Sequence, residues 1–276
     1  ISAAILIFGR LGDIKGKIKV FKAGIVLFTA GSVFCGLSQS FALLIISRVI
    51  QAIGAAAAMA VNQGIITEVF PRTERGRALG ISGSFVALGS LTGPPLGGFI
   101  ISVLSWHYIF LINLPVGVFT FIMGMKILPK TEKSSSEKLD TMGALLFTLT
   151  IVSLFSSIIL GQNNGYTHPA IIAGFLIAVP AAAAFILLEV RTETPLLQLN
   201  IFKNLLFSLS ILCGYISFVA IFCSNIIQPF YLQDVMKLSP GTTGLIMMTY
   251  PLVLVAVAPV SGHLSDKIGS EILTFF

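Results

Sequence analysis

Charged residues are scarce in this sequence. Only 10% of its 276 residues are Asp, Glu, Lys or Arg, whereas a soluble domain has about 25% because water must solvate its surface. Hydrophobic residues make up 55% of the chain and the mean hydropathy is +0.97. The scarcity of charge excludes an ordinary water-soluble domain and indicates a protein embedded in lipid. The chain begins with Ile1 rather than Met, so we expect a fragment of a longer protein.

Residues that could form a metal or catalytic centre are also few. The three cysteines, Cys35, Cys213 and Cys223, stand in apolar runs without a CxxC spacing or a nearby histidine cluster, which argues against a metal or redox site. No nucleotide-binding loop or HExxH pattern is present. We therefore predict no enzyme activity, no metal and no organic cofactor. The net charge of +6 resides in short loops beside apolar runs, which favours membrane topology over nucleic-acid binding.

Long apolar runs are what the sequence has instead. A helix that crosses a bilayer needs about 20 mostly apolar residues, and eight runs meet this requirement. They cover approximately residues 22–41, 42–67, 79–103, 107–128, 142–162, 169–189, 205–229 and 240–262. We therefore predict an all-α, multi-pass membrane protein.

The basic residues fall almost entirely on one side of these spans. Of the 17 Lys and Arg, fifteen lie in loops of one side, Lys237 lies on the other side and Arg48 lies within a span. The positive-inside rule assigns the fifteen to the cytoplasm. They are Arg10, Lys15, Lys17, Lys19, Lys22, Arg72, Arg75, Arg77, Lys126, Lys130, Lys133, Lys138, Arg191, Lys203 and Lys267.

One short motif occurs twice, on the predicted cytoplasmic side. Residues 9–16 (GRLGDIKG) and 262–269 (GHLSDKIG) both read G-x-L-small-D-x-x-G. A loop repeated at the same topological position indicates two related halves, as in secondary transporters. Its glycines permit a tight turn, and its aspartate can cap a helix N-terminus. The candidate gating residues are Gly9, Arg10, Asp13, Gly16, Lys17, Gly262, Asp266 and Gly269.

The span 79–103 carries a long glycine pattern. Its spacing is G-x8-G-x3-GP-x2-GG, formed by Gly80, Gly89, Gly93, Pro94, Gly97 and Gly98, with Pro95 beside it. Three of the glycines recur every four residues and so share one helix face, where another helix can approach closely. The prolines remove backbone donors and are expected to bend the helix. An ordinary glycine packing face is the simpler alternative.

Polar residues within spans mark candidate cavity positions. Placing Arg48 in mid-span costs about 2.5–3.5 kcal/mol on insertion scales, and Gln51 and Asn62 fall on the same helix side. We therefore expect these three residues to face a polar interior, although Arg48 could instead snorkel to the outer headgroups. A second polar stripe, in the span 205–229, either lines a cavity or bonds a neighbouring helix. Its candidates are Ser217, Ser224, Asn225 and Gln228.

Together these motifs resemble the major facilitator superfamily. Residues 9–17 are similar to its loop between helices 2 and 3, and residues 262–269 to the copy in its second half. Eight spans separate the copies here, against six in a twelve-helix member, which matches the fourteen-helix drug:proton antiporters. The resemblance implies that the chain runs from about helix 2 to helix 11. His263 and Ile14 depart from the basic residues common at their positions.

The resemblance also implies an organisation and a function. Residues 1–128 would belong to an N-terminal helical bundle, 129–141 to a cytoplasmic linker, 142–189 to two extra helices and 190–276 to the start of a C-terminal bundle. The Gly80–Gly98 pattern is similar to the motif that marks antiporters, and Arg48 matches an arginine implicated in proton coupling. The implied function is proton-driven export of drugs or other amphipathic compounds by alternating access.

Two alternatives remain open. A metabolite importer or facilitator would have the same fold, and a membrane enzyme or sensor ranks last because catalytic motifs are missing. The expected partners are the lipid bilayer of the cell membrane, a small organic substrate and protons as coupling ions, without nucleic acid. We expect a monomer. The acidic proton carrier cannot be assigned, since Glu68, Asp140 and Asp234 lie at span ends.

Overall fold

The computed structural model describes residues 1–129, 139–192, 194–269 and 273. These residues form helices and connecting segments, with no strand among them. Part of the predicted linker, including Lys130, Lys133 and Lys138, lies outside the described residues. The all-α fold class predicted from the apolar runs is confirmed.

Eleven α-helices cover most of the described chain. Their bounds are α1 Ser2–Lys15, α2 Lys17–Gly36, α3 Phe41–Val69, α4 Arg75–Val103, α5 Tyr108–Leu111, α6 Asn113–Ile127, α7 Thr141–Asn164, α8 Pro169–Arg191, α9 Leu205–Phe230, α10 Pro240–Met247 and α11 Thr249–Ile268. A 3₁₀ turn precedes α9, and a π-helical turn over Tyr231–Val235 extends it.

Eight helical segments in the described part of the chain are long and apolar enough to cross a membrane. The short helix α5 continues into α6 as one segment, and α10 continues into α11. The eight segments correspond one to one with the predicted spans. Large apolar side chains such as Phe85, Val179 and Leu205 are exposed along them, as expected where lipid rather than water surrounds the helices.

The first predicted span is wrong by several residues at both ends. The apolar pattern indicated residues 22–41, whereas α2 covers Lys17–Gly36. Gly16 has a φ of 96°, a conformation that L side chains rarely adopt, and this turn separates α2 from α1. Lysines at the start of α2 hid its first turn from a search for apolar residues.

The first copy of the repeated motif is not a loop either. Gly9 to Lys15 form the last two turns of α1, and only Gly16 turns the chain. The second copy has the same form, because Gly262 to Ile268 end α11 and Gly269 turns the chain. We therefore correct the predicted gating loops to two helix ends, each followed by a single glycine turn.

By internal packing the chain divides into two compact units. Unit 1 comprises Ile1–Ile65 and Leu104–Leu199, and unit 2 comprises Ile66–Val103 and Asn200–Phe276. Unit 1 contains the paired helices α7 and α8, and unit 2 contains the paired helices α4 and α11. The division into transport bundles at residues 128, 142 and 190 stays a prediction.

Candidate functional site

A chain of polar contacts crosses unit 1 around Arg48. The Arg48 guanidinium donates from Nη1 to Oε1 of Gln51 at 3.0 Å. The Gln51 amide donates from Nε2 to Oγ of Ser32 at 2.6 Å, and Ser32 donates to the carbonyl of Phe28 at 2.8 Å. Gln51 is only 6% exposed and Ser32 is fully buried. This series of hydrogen bonds fixes the orientation of Arg48, because its partner Gln51 is itself held by the buried Ser32.

Glycines allow α2 and α3 to approach closely enough for the hydrogen bond between Gln51 and Ser32 to form. A Cβ added to Gly31 would lie 2.5 Å from the backbone nitrogen of Gln51, and one added to Gly54 would overlap the backbone of Phe28. Since real Cβ atoms do not approach so closely, only glycine fits at these crossings. The close approach brings Ser32 on α2 within reach of Gln51 on α3.

An aromatic ring covers the guanidinium of Arg48. The Cζ atom of Arg48 lies 4.7 Å from the centroid of the Phe110 ring, within the range of a cation–π contact. Both residues line a cavity of about 650 Å³ in unit 1, which we call the arginine cavity. Its lining is Ile1, Phe28, Arg48, Gln51, Ala52, Ala55, Ile109, Phe110 and Asn113.

His107 fixes the segment that carries Phe110. Its Nε2 atom lies 3.1 Å from the carbonyl oxygen of Ser38, and its Nδ1 atom lies 2.6 Å from Oγ of Ser105. A carbonyl can only accept, so Nε2 carries a proton and donates. The ring also stacks on Trp106 at 3.8 Å. These contacts fix the start of α5 and with it the position of Phe110.

The arginine cavity differs from its prediction in one respect. Asn62 does not line it. At 1.5 Å per helical residue, Asn62 is about 21 Å further along α3 than Arg48. No acidic partner was predicted for Arg48, and no described carboxylate pairs with it; its contacts are Gln51 and Phe110. The cavity therefore offers a positive charge, two amide side chains and aromatic surface.

A second polar cavity lies in unit 2 beside α9. It has a volume of about 300 Å³ and brings together Ser224, Asn225 and Gln228 with Tyr250 of α11. Ser217, predicted for the same surface, instead donates to the carbonyl of Cys213 within its own helix at 2.8 Å and does not line this cavity. The polar stripe of α9 thus contributes three of its four candidates to one concave surface.

The two copies of the repeated motif have the same backbone hydrogen bond. Gly16 donates to the carbonyl of Gly12, and Gly269 donates to the carbonyl of Ser265. These pairs occupy matching positions in the two motifs. The two copies are therefore alike in structure as well as in sequence, because each ends a helix and turns the chain at a glycine.

The two motif aspartates have different partners. Asp13 forms an ion pair with Lys17 at 3.3 Å. Asp266 caps the N-terminus of α4, because Oδ1 accepts from the N–H of Gly76 at 2.7 Å and Oδ2 from the N–H of Arg77 at 2.8 Å. A carboxylate at this end of a helix is stabilised by the free N–H groups and by the helix dipole.

Helices α4 and α11 meet backbone to backbone next to this cap. A Cβ added to Gly76 would overlap the carbonyl oxygen of Gly262, and one added to Gly80 would overlap that of Ala258. Ser84 donates to the carbonyl of Val255 at 3.0 Å. We call these residues, with Asp266, the α4–α11 contact.

The other four glycines of the antiporter-type pattern do not meet the backbone of another helix in this way among the described residues. Added Cβ atoms at Gly89, Gly93, Gly97 and Gly98 would find no atom within 4 Å in the described residues. The expected close helix contact is formed at Gly80 and not at these four glycines. Pro94 and Pro95 lie within α4, which is continuous from Arg75 to Val103.

Replacing Asp266 with asparagine tests the cap. The change removes the charge and one of the two acceptor oxygens, and hydrogen bonds to charged groups contribute about 1.5–3 kcal/mol. We expect the melting temperature of the full-length protein to fall. The exposed neighbour Lys267→Gln is the control, and equal melting temperatures for both variants would contradict a stabilising cap.

Several residues of these sites were not predicted. The residues that were missed join the sites only through contacts between helices, which the pattern of a single helix does not show. They are Ser32, Phe110, Asn113 and Tyr250. The one available signal was the order of residues 106–113, where polar and aromatic groups interrupt an apolar run.

Comparison with known proteins agrees with this architecture. Residues 1–276 match the family model of the Major Facilitator Superfamily. The chain is 36% identical, over 98% of its length, to the riboflavin transporter RibZ of Clostridioides difficile, covering 58% of that protein. It is 30% identical over 95% of its length to the multidrug resistance protein Stp of Mycobacterium tuberculosis, covering 49%.

A third relative is the lincomycin resistance protein LmrB of Listeria innocua, 30% identical over 88% of this chain and 52% of that protein. The chain thus spans between about half and three fifths of the curated relatives it matches. With eight potential membrane helices among its described residues and a family match along its whole length, the chain belongs to the Major Facilitator Superfamily, a family of membrane transporters rather than enzymes.

Proposed function

We propose that the chain is part of a proton-driven exporter of drugs or similar amphipathic organic compounds. The observation that carries the proposal is the arginine cavity, where a guanidinium is held by Gln51 and covered by Phe110. An arginine within a membrane span is costly and is a functional-site candidate by default. The Arg48 side chain is exposed, but it contacts Gln51 on the same helix and the ring of Phe110 on α5, and these two contacts support a fixed role in unit 1 over snorkelling.

Arg48 would act by its charge and not as the proton carrier. A guanidinium stays protonated in proteins, so it cannot release and rebind the coupling proton. It can stabilise the charged form of a carboxylate or of a substrate that enters the cavity. The carboxylate that carries the proton would then come from a part of the protein outside the described residues.

The α4–α11 contact supplies a candidate gate. Its repeat motif and the basic residues around it assign this end of the helices to the cytoplasm. A Cβ added at Gly76 or Gly80 would overlap the backbone of α11, whereas one added at Gly89, Gly93, Gly97 or Gly98 would meet no described atom within 4 Å. We interpret the structure as a state with its inner gate closed, as alternating access requires for half of the cycle.

The export direction is supported by the names of two relatives, which are described as a multidrug resistance protein and a lincomycin resistance protein. The competing candidate is a metabolite transporter, favoured by the 36% identity to a riboflavin transporter. Both candidates use the same cavities, so direction and substrate must be measured.

Dye efflux from cells separates the candidates. We expect energised cells that express the full-length protein to expel ethidium faster than cells with an empty vector, and a protonophore to abolish the difference. Unchanged ethidium retention together with accumulation of riboflavin from the medium would replace export with metabolite uptake.

A further inference from the structure

The smaller cavity of unit 2, beside α9, combines several hydrogen-bonding groups with an uncharged lining. Two of its lining residues carry carboxamides, Asn225 and Gln228, and two carry hydroxyls, Ser224 and Tyr250. None of the described lining residues is charged, so this cavity differs from the arginine cavity of unit 1. A ligand here would be recognised by its hydrogen bonds and not by its charge.

The four polar side chains of this cavity have no partner in the part of the protein that the structure describes. None of them forms a hydrogen bond or an ion pair with another described residue. A polar group without a partner is strongly unfavourable within a membrane span, and native proteins leave few such groups unpaired. Four of them on one concave surface therefore indicate that something outside the described residues supplies their hydrogen bonds.

The polar stripe of α9 contains its own comparison. Ser210, Ser217 and Ser224 recur every seven residues and so lie on one side of the helix. Ser210 donates to the carbonyl of Leu206 and Ser217 to that of Cys213, both at 2.8 Å. Such a bond within the helix satisfies a serine hydroxyl in a membrane span. Ser224 has no bond of this kind to a described residue, and it is the serine that lines the cavity.

The helix also changes its backbone geometry at the cavity. Pro229 lies within α9 next to Gln228, and a proline has no backbone N–H. The backbone carbonyl of Asn225, four residues earlier, therefore loses its usual helical donor. The π-helical turn over Tyr231–Val235 follows directly, and such turns are frequent at functional sites. Residue 225 can thus present a backbone acceptor as well as its side-chain amide.

The chemistry of the lining favours one class of ligand. A carboxamide donates through its NH₂ group and accepts through its oxygen, so it pairs best with a group that has a donor and an acceptor on neighbouring atoms. Amides and imides within ring compounds present such a pair along one edge. The volume of about 300 Å³ is at the lower limit of small-molecule sites, about 300–1,000 Å³, and suits a small fused-ring compound.

We propose that this cavity binds the uncharged amide or imide edge of a small aromatic ring compound, with Asn225 and Gln228 as the residues that determine specificity. The inference rests on the proposed transport function and names a substrate class for it. The competing explanation is that another helix of the full-length protein pairs with the same side chains, and the experiment separates the two.

The probe is 4-amino-1,8-naphthalimide, an uncharged fluorescent imide, and its N-methyl derivative lacks the imide N–H. Binding of each compound to the purified full-length protein is measured by fluorescence titration. We expect the imide to bind about fivefold to tenfold more tightly than the N-methyl derivative, since one hydrogen bond contributes a factor of this size. Equal affinity for the two compounds, or no saturable binding of the imide, would overturn the proposal.

Gln228→Leu removes one carboxamide and keeps a side chain of similar size. We expect it to weaken imide binding about fivefold to tenfold and binding of the N-methyl derivative only about twofold, while the melting temperature stays that of the wild type. A lower melting temperature together with unchanged imide binding would show that Gln228 pairs with another helix, which would also overturn the proposal.

Ser224→Ala and Ser217→Ala form a matched pair, because they delete the same hydroxyl two helical turns apart. Only Ser224 lines the cavity, whereas the hydroxyl of Ser217 is bonded within α9. We expect Ser224→Ala to weaken imide binding about twofold to fivefold and Ser217→Ala to bind like the wild type. Equal effects of the two changes would contradict the site.

Binding measured without a proton gradient keeps the two proposals separate. A protein that binds the imide selectively but does not expel ethidium would refute the proposed exporter and leave the substrate site intact. A protein that expels ethidium but binds both naphthalimides equally would refute the substrate site alone.

Discussion

Gly80→Ala is expected to reduce transport by about tenfold to a hundredfold while the protein still reaches the membrane. The added methyl group would overlap the carbonyl oxygen of Ala258 on α11. Because that atom is backbone, the conflict is relieved only when α4 and α11 move apart. Overpacking of this kind costs about 1–3 kcal/mol, and about 1.4 kcal/mol changes an equilibrium tenfold. The closed inner gate would therefore be depopulated.

The matched control is Gly83→Ala on the same helix. A Cβ at Gly83 would lie 4.0 Å from the Cβ of the same residue, Ala258, an ordinary van der Waals contact. Both variants add one methyl group and gain the same helix propensity, so only the position differs. The measurement is the initial rate of dye efflux, normalised to protein in the membrane. Equal rates for the two variants would show that the α4–α11 contact does not limit transport.

Arg48→Ala is expected to abolish concentrative export, so that the dye reaches about the same level as in cells with an empty vector. The change removes the charge from the arginine cavity and leaves Oε1 of Gln51 without its donor. An unpaired buried acceptor costs about 1–3 kcal/mol. Insertion should not suffer, because removing an arginine from a span saves about 2.5–3.5 kcal/mol on insertion scales.

Two comparisons isolate the role of the Arg48 charge. Arg48→Lys keeps the charge but cannot reproduce the planar contact with Phe110 or the guanidinium geometry, so we expect export between that of wild type and Arg48→Ala. Leu43→Ala, a change at an exposed residue five positions earlier on α3, should leave export unchanged. Wild-type export by Arg48→Ala would assign the arginine to the headgroup region and remove the main support for the proposed site.

The membrane spans could be predicted because their signal is strong and local. A helix in lipid must satisfy every backbone group internally and cover itself with apolar side chains, so each span is a run of about 20 apolar residues. The errors lie where this signal ends. The lysines that begin α2 look like a loop, and the helical form of residues 9–15 is decided by the turn at Gly16.

The candidate sites could be predicted only in part. Arg48 and Gln51 are three residues apart on one helix, so their contact follows from helical spacing. Phe110 and Tyr250 enter through packing between distant segments. The predicted span 169–189 ends at Glu189, whose burial depends on the fold of Leu196 and Leu197 back onto α8. A single sequence contains no direct record of such contacts.

The proposed gate and the two-copy repeat both depend on the prediction that both motif copies lie on the cytoplasmic face. It is tested most directly by cysteine labelling of the full-length protein in intact cells. Single cysteines replace Lys15, Lys267 or Thr167 in a background without Cys35, Cys213 and Cys223. A membrane-impermeant maleimide should label the cysteine at position 167 from outside and reach positions 15 and 267 only after the cells are opened. Labelling of positions 15 and 267 from opposite sides of the membrane would contradict the two-copy architecture and the transporter derived from it.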